Sequence, residues 1–204
     1  GSLARECNFH HRESNPGRSQ DVLIPMAGQV KTGTGTSKNI SVVRLAIPNK
    51  GRIAAPIMDL VEKSGLHLPE IGERRLITKT LDPHVEILFA RPVDIPEYVA
   101  TGAADIGITG HDMVVERESD VEEILDLQSG KAKLVLAVHE DSAITSVKQL
   151  AGLKVATEFP VITRTYFAKH KVKVNVVLVG GACEATPHLG IADAIVDLSS
   201  SGTT

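Results

Sequence analysis

Short apolar runs alternate with helical spacing through most of this chain. Val42-Val43-Arg44-Leu45-Ala46-Ile47-Pro48 is an apolar run ended by a proline, and it predicts a strand. Asn49-Lys50-Gly51-Arg52 follows as a glycine turn. Ile53, Ile57, Leu60 and Val61 then recur at helical spacing, which predicts a helix over 53–64 that Gly65 stops. Val85–Ala90 predicts a second strand. Asp94-Ile95-Pro96 opens the next helix, with Asp94 expected as its cap and the proline in its first turn. That helix ends at Gly102. A strand over 105–109 and a helix over 110–118 follow. Strands are expected at 122–127, 133–139, 154–157, 173–179 and 192–197. Helices are expected after Ser146, over 160–169 and around 183–189.

Strands alternating with helices predict an α/β architecture with mainly parallel sheets. The consecutive strands at 122–127 and 133–139 break the alternation. A crossing between two lobes is expected there, with residues 41–135 in the first lobe and 136–204 in the second. A cleft between lobes is then the default ligand site.

Residues 1–40 read differently. They are rich in Gly, Ser, Thr, Asn and Pro, and carry five Lys or Arg against three Asp or Glu. Their main apolar cluster, Val22-Leu23-Ile24, is cut off by Pro25, and Thr32-Gly33-Thr34-Gly35-Thr36-Ser37 has linker character. Such a segment buries too little apolar surface to offset its ordering entropy, so it is expected to lie outside the fold as a disordered or extraneous stretch. The adjacent His10-His11 reads as incidental rather than as a metal pair.

Composition narrows the function. The 204 residues are 42% hydrophobic and 23% charged, an ordinary globular balance. A formal charge of −3 argues against a nucleic-acid coat, though not against a local anion site. No apolar run reaches the roughly 18–20 residues of a membrane span. No basic segment leads into an apolar core, so no secretory signal is expected. Cys7 and Cys183 form neither a disulfide framework nor a zinc site, which fits a reduced, cytoplasmic setting. Aromatics are only 3%, so a stacking platform is not expected. Any ligand would be held by amides, hydroxyls and charges.

Four places carry candidate chemistry. Asn49-Lys50-Gly51-Arg52 offers amides flanked by two cations at a helix start, which suits an anion; the plainer reading is a solvated basic turn. Arg91, at a strand end, has the planar fork to clamp phosphate, with Asp94 close by as a cap or a ligand. In Gly102-Ala103-Ala104-Asp105-Ile106-Gly107-Ile108-Thr109-Gly110 the small residues allow close backbone approach. Asp105 there reads equally as a structural acid, and Gly107 to Gly110 as a ligand border. The fourth, Ala192-Asp193-Ala194-Ile195-Val196-Asp197 followed by Leu198-Ser199-Ser200-Ser201-Gly202-Thr203-Thr204, is a buried strand ending in an acid and a hydroxyl-rich loop. Successive amides and hydroxyls make a nest for phosphate oxygens, and the acid before them suits ribose hydroxyls or a metal. The bland reading is a polar tail. Glu184 sits at an expected helix start, where an acid is favourable in any case. His111, His139 and His188 are scattered and read as structural or solvated, and Cys183 has no His partner. Nothing forms a nucleophile triad, so covalent catalysis is not expected.

Taken in order, Arg44–Arg52, Asp94–Val99, Gly102–Gly110, Val155–Pro160, Gly180–Pro187 and Ala192–Leu198 with its Ser-Gly-Thr-Thr end resemble the ATP phosphoribosyltransferase family of histidine biosynthesis. The resemblance runs from about Val42 to Thr204. It implies two α/β lobes like a type II periplasmic binding protein. It also implies condensation of ATP with phosphoribosyl pyrophosphate, with Mg2+ on the leaving pyrophosphate. Asp197 with Ser200, Ser201, Gly202, Thr203 and Thr204 would hold the ribose and its 5-phosphate. Lys50, Gly51 and Arg52 would meet phosphates, and Arg91, Asp94 and Gly110 would border the nucleotide and pyrophosphate. Thr157 would line the cleft, and Glu184 and Asp193 are candidates for substrate or magnesium. A homo-oligomer is expected, with a regulatory subunit if this is a short form. Residues 1–40 match nothing in the family, and family members continue past Thr204, so weak or no activity is expected of these residues alone. The competing class is a solute-binding or ligand-sensing module on the same bilobal fold.

Overall fold

The computed structural model describes residues 7–8, 21–26, 42–68, 76–128 and 132–199. They divide into two compact units, residues 17–130 and residues 131–204 with 1–16, and each has its own sheet. The strands are β1 (Cys7–Asn8), β2 (Asp21–Pro25), β3 (Val43–Pro48), β4 (Ile77–Lys79), β5 (Val85–Ala90), β6 (Ile106–Thr109), β7 (Val121–Asp126), β8 (Lys133–Val138), β9 (Lys154–Thr157), β10 (Asn175–Leu178) and β11 (Ala194–Ser199). The α-helices are α1 (Ala54–Lys63), α2 (Ile95–Ala100), α3 (His111–Arg117) and α4 (Pro160–Lys169). The fold class is therefore α/β. Among the described residues no helix is long and apolar enough to cross a membrane.

In the unit of residues 17–130 the strand order is β4-β5-β3-β6-β2-β7. β3 runs parallel to both β5 and β6, while β2 runs antiparallel to β6 and β7. Alternation along β3 and β5 sends successive side chains to opposite faces. Leu45, Ile47 and Ile87 pack under Ile57 and Val61 of α1. Ala46, Leu88 and Ala90 pack with Ile95 and Val99 of α2. Each fully buried Ile or Val contributes roughly 1.5–3 kcal/mol, so this two-sided burial holds α1 and α2 on the sheet.

The other sheet has the order β1-β8-β11-β9-β10. β11 is parallel to β9 and antiparallel to β8. Phe167 of α4 joins Leu136, Val138, Val155 and Val196 on one face. Cys183 joins Ala137, Ala156 and Ile195 on the other. Consecutive strands β7 and β8 belong to different sheets.

The expectation that residues 1–40 lie outside the fold does not hold for residues 7–8 and 21–26, which carry β1 and β2; the rest of that segment lies outside the described residues. Leu23 of β2 is fully buried against α2 and β6, and the strand pairs on both sides, with a register shift between Val22 and Leu23 that accommodates β7. Composition averaged over forty residues diluted a signal that five residues carry. Pro25 is tolerated because it ends the strand. β4, an antiparallel edge strand on β5, was also absent from the pattern reading. The helices expected after Ser146 and around 183–189 are single 3-10 turns, Val147–Leu150 and Cys183–Ala185.

Candidate functional site

Lys50, Gly51 and Arg52 form the exposed turn between β3 and α1. The turn is anchored by the Asn49 amide, which donates to the Ala90 carbonyl at 2.8 Å. Gly51 has φ +92°, a left-handed conformation that favours glycine. α1 starts after Ile53 with no side chain capping it. Its first amides therefore stand beside two cationic side chains, the combination that receives an anion. Arg52 also acts on Asp112, whose carboxyl burial raises and Arg52 draws back down.

Arg91 and Asp94 are brought together, but not as expected. Arg91 donates through Nε and Nη2 to the two Asp94 oxygens at 2.7 and 3.1 Å. Arg117 adds a third bond to Asp94 at 3.0 Å. The Asp94 carboxylate raises the Arg91 guanidinium further, and the fork expected for phosphate is engaged within the chain. Asp94 does not cap α2: it already has helical angles at the end of a 3-10 turn, Pro92–Asp94, whereas a capping residue is extended.

The small-residue segment also has structural duties. A Cβ on Gly107 would lie 2.7 Å from Cγ2 of both Ile95 and Val99, so glycine is required for α2 to pack on β6. Asp105 accepts the Arg44 amide at 2.7 Å, the structural-acid reading. Gly110 is buried and is the residue from which α3 starts.

In the other unit, Thr157 is fully buried at the end of β9. Its hydroxyl accepts the Phe159 amide at 2.9 Å and the Thr163 hydroxyl at 3.3 Å, and so organises the start of α4. Asp193 is a clamp: its carboxylate accepts the Lys154 amide, and its own amide donates to the Lys154 carbonyl.

Asp197 is different. It lies half-buried in β11, accepting only the amide of Leu198 at 2.7 Å among its described bonds. The parallel register pairs Val196 with Thr157, so one step further along the strands places Asp197 level with Glu158. Glu158 was missed in the sequence, although its position directly after a strand parallel to β11 is a signal that register reading provides. Burial raises the Asp197 carboxyl, and Glu184 raises it further. Burial raises Glu158 as well, followed by the charges of Asp197 and Glu184. Cys183, buried beside the three acids, has its thiol pushed up to about 12, chiefly by burial. Gly181, at φ +115°, brings the Gly180-Gly181-Ala182 turn close to Glu158. Three carboxylates thus gather at one end of β9 and β11. Ser200, Ser201, Gly202, Thr203 and Thr204 lie outside the described residues.

His139 and His188 meet edge to face, with ring centroids 4.7 Å apart, a structural contact. His111 is paired with Glu123. Asp21, next to both, has its carboxyl pushed up to about 7, first by burial and then by Glu123.

Comparison with known proteins gives a consistent result. The family described as "ATP phosphoribosyltransferase" matches residues 91–204. A relative named ATP phosphoribosyltransferase from Methanosarcina acetivorans is 58% identical over 164 residues, covering 80% of this chain and 57% of the relative. Another of that name from Methanocella arvoryzae is 59% identical over 162 residues, covering 79% and 57%. This chain therefore spans little more than half the length of those relatives. A solved ATP phosphoribosyl transferase (HisG:HisZ) complex from Thermotoga maritima superposes with a TM-score of 0.67 at 27% identity, covering 79% of this chain and 76% of that one.

Proposed function

This chain belongs to the ATP phosphoribosyltransferase family, and we propose that it carries the chemistry that joins ATP to phosphoribosyl pyrophosphate in histidine biosynthesis. A bond forms between an adenine ring nitrogen and the anomeric ribose carbon. The bond from that carbon to the pyrophosphate oxygen breaks, and its electron pair leaves with pyrophosphate. Such a displacement asks for in-line positioning and charge stabilisation more than for acid–base groups. The observation that carries this reading is the half-buried Asp197 in the second half of β11, two residues before a Ser/Gly/Thr run.

In this reading Asp197 accepts hydrogen bonds from the ribose hydroxyls. Ser200, Ser201, Gly202, Thr203 and Thr204 hold the 5-phosphate through hydroxyls and amides. Lys50, Arg52 and the uncapped amides of α1 receive phosphate oxygens, and Gly110 borders the nucleotide. Glu158, Glu184 and Asp197 are an all-oxygen donor set, the kind that Mg2+ takes. When bound there, magnesium would offset charge on the diphosphate. The raised carboxyls of Glu158 and Asp197 fit a site that becomes comfortable only with a cation or hydroxyl donors present. The Thermotoga complex supports a partner subunit, beside self-association, for this chain too. The expected setting is the cytoplasm.

Pyrophosphate release, followed with both substrates and Mg2+, tests the reading. Weak release that needs ATP and phosphoribosyl pyrophosphate together is expected. Release from either substrate alone, or failure to bind phosphoribosyl pyrophosphate at all, would contradict the reading.

A further inference from the structure

Asp21 opens β2, His111 is the first residue of α3, and Glu123 lies in β7. Backbone pairing brings them together. Asp21 pairs with Thr109, two residues before His111, and Leu23 of the same strand pairs with Glu123. His111 Nδ1 is 2.8 Å from Glu123 Oε2 and 3.6 Å from Asp21 Oδ2. One donor atom from each of the three residues lies within 4.8 Å of the others.

Asp21 is the unusual member. It is 1% exposed, and neither carboxylate oxygen has a hydrogen-bond partner. Buried carboxylates are normally paired or coordinate a metal. The single imidazole already serves Glu123 at the shorter distance, so two acids share one half-buried base. A cation of charge two would answer both carboxylates at once.

We propose that Asp21, His111 and Glu123 form a binding site for a divalent first-row transition ion, held by one imidazole nitrogen and two carboxylate oxygens. Imidazole with carboxylates suits Mn2+, Fe2+ or Zn2+, whereas magnesium and calcium prefer all-oxygen shells. Ligand bonds near 2.0–2.2 Å require donors roughly 3–4 Å apart, a spacing that the Asp21–His111 pair already has. The ion ties β2 to β7 and to the start of α3, and so pins into this sheet a strand that comes from the first forty residues. None of the three residues is given a part in phosphoribosyl transfer, so the site stands or falls separately from Asp197, Glu158 and Glu184.

The test is a Mn2+ titration of the full chain after chelator treatment, with free Mn2+ read by its electron paramagnetic resonance signal. The tightest ion is expected at this site, with its affinity lowered at least about tenfold in both Asp21→Asn and Glu123→Gln and kept in Glu184→Gln, which should weaken only a second, weaker ion on the Glu158, Glu184 and Asp197 oxygens. Mn2+ should also raise the melting temperature of the unaltered chain and not that of Asp21→Asn. Asp21→Asn removes a buried acid while keeping its shape, so it should fold; Glu123→Gln provides an independent reading. Unchanged Mn2+ binding in both variants, binding lost only in Glu184→Gln, or no ion bound by the unaltered chain would each overturn the proposal.

Discussion

Asp193 and Lys154 hold each other by two hydrogen bonds: the Lys154 amide donates to Asp193 Oδ2 at 2.8 Å, and the Asp193 amide donates to the Lys154 carbonyl at 2.9 Å. The pair fixes the start of β9 beside the chain entering β11, and so sets the register that carries Glu158 and Asp197 to the same end. Asp193→Ala should cost about 1 kcal/mol of stability, the worth of one such bond. Urea unfolding checks the cost. The affinity for phosphoribosyl pyrophosphate should stay within about twofold when measured well below the unfolding midpoint, since the residue acts on the strand and not on the ligand.

Gly107→Ala should destabilise the unit of residues 17–130 by about 1–3 kcal/mol, because the added methyl meets Ile95 and Val99 at 2.7 Å. Val99→Ala in the same chain should restore part of the loss, since it removes one of the two colliding methyls. A double-mutant cycle on denaturation midpoints reads the coupling. Independent effects of the two changes would show that α2 shifts instead.

Cys183 should resist alkylation in the folded chain. Burial, then the nearby acids, push its thiol up to about 12, so at pH 8 almost none is thiolate. Peptide mass mapping after iodoacetamide treatment should find Cys183 unmodified under native conditions and modified in denaturant.

The Asp197 carboxyl is raised in the folded chain. The native state therefore holds this proton more tightly than the unfolded chain does. Its contribution favours folding below the ordinary Asp range, about pH 4, and is lost as the pH rises through the raised value. Asp197→Asn should melt at a higher temperature than the unaltered chain at pH 7, with the difference closing below about pH 4. Thermal melts across that range check the sign.

Much of this arrangement is legible in the pattern of residues, for physical reasons. β3, β5 and β11 are rich in apolar residues and α4 starts at Pro160, so local signals and the tertiary outcome agree. β2 was hidden because its worth comes from two neighbouring strands rather than from its own composition. Asp94 looked like a cap, but its partners Arg91 and Arg117 are reached only once Pro92–Asp94 closes into a turn. The resemblance puts Thr157 at the cleft; its bonds to the start of α4 appear only in the folded chain. Glu158 became visible only through the parallel pairing of β9 with β11. Asp197 stood out at once because a buried strand, an acid and a hydroxyl run are adjacent in sequence.

Calorimetric titration of phosphoribosyl pyrophosphate in Mg2+, comparing the unaltered chain with Asp197→Asn, decides whether Asp197 holds the ribose. The unaltered chain should bind, and the variant, whose melt at pH 7 is no lower, should bind at least about tenfold more weakly, as expected for a lost charge-assisted hydrogen bond. Equal affinity in the two chains would contradict the assignment of Asp197 to the ribose.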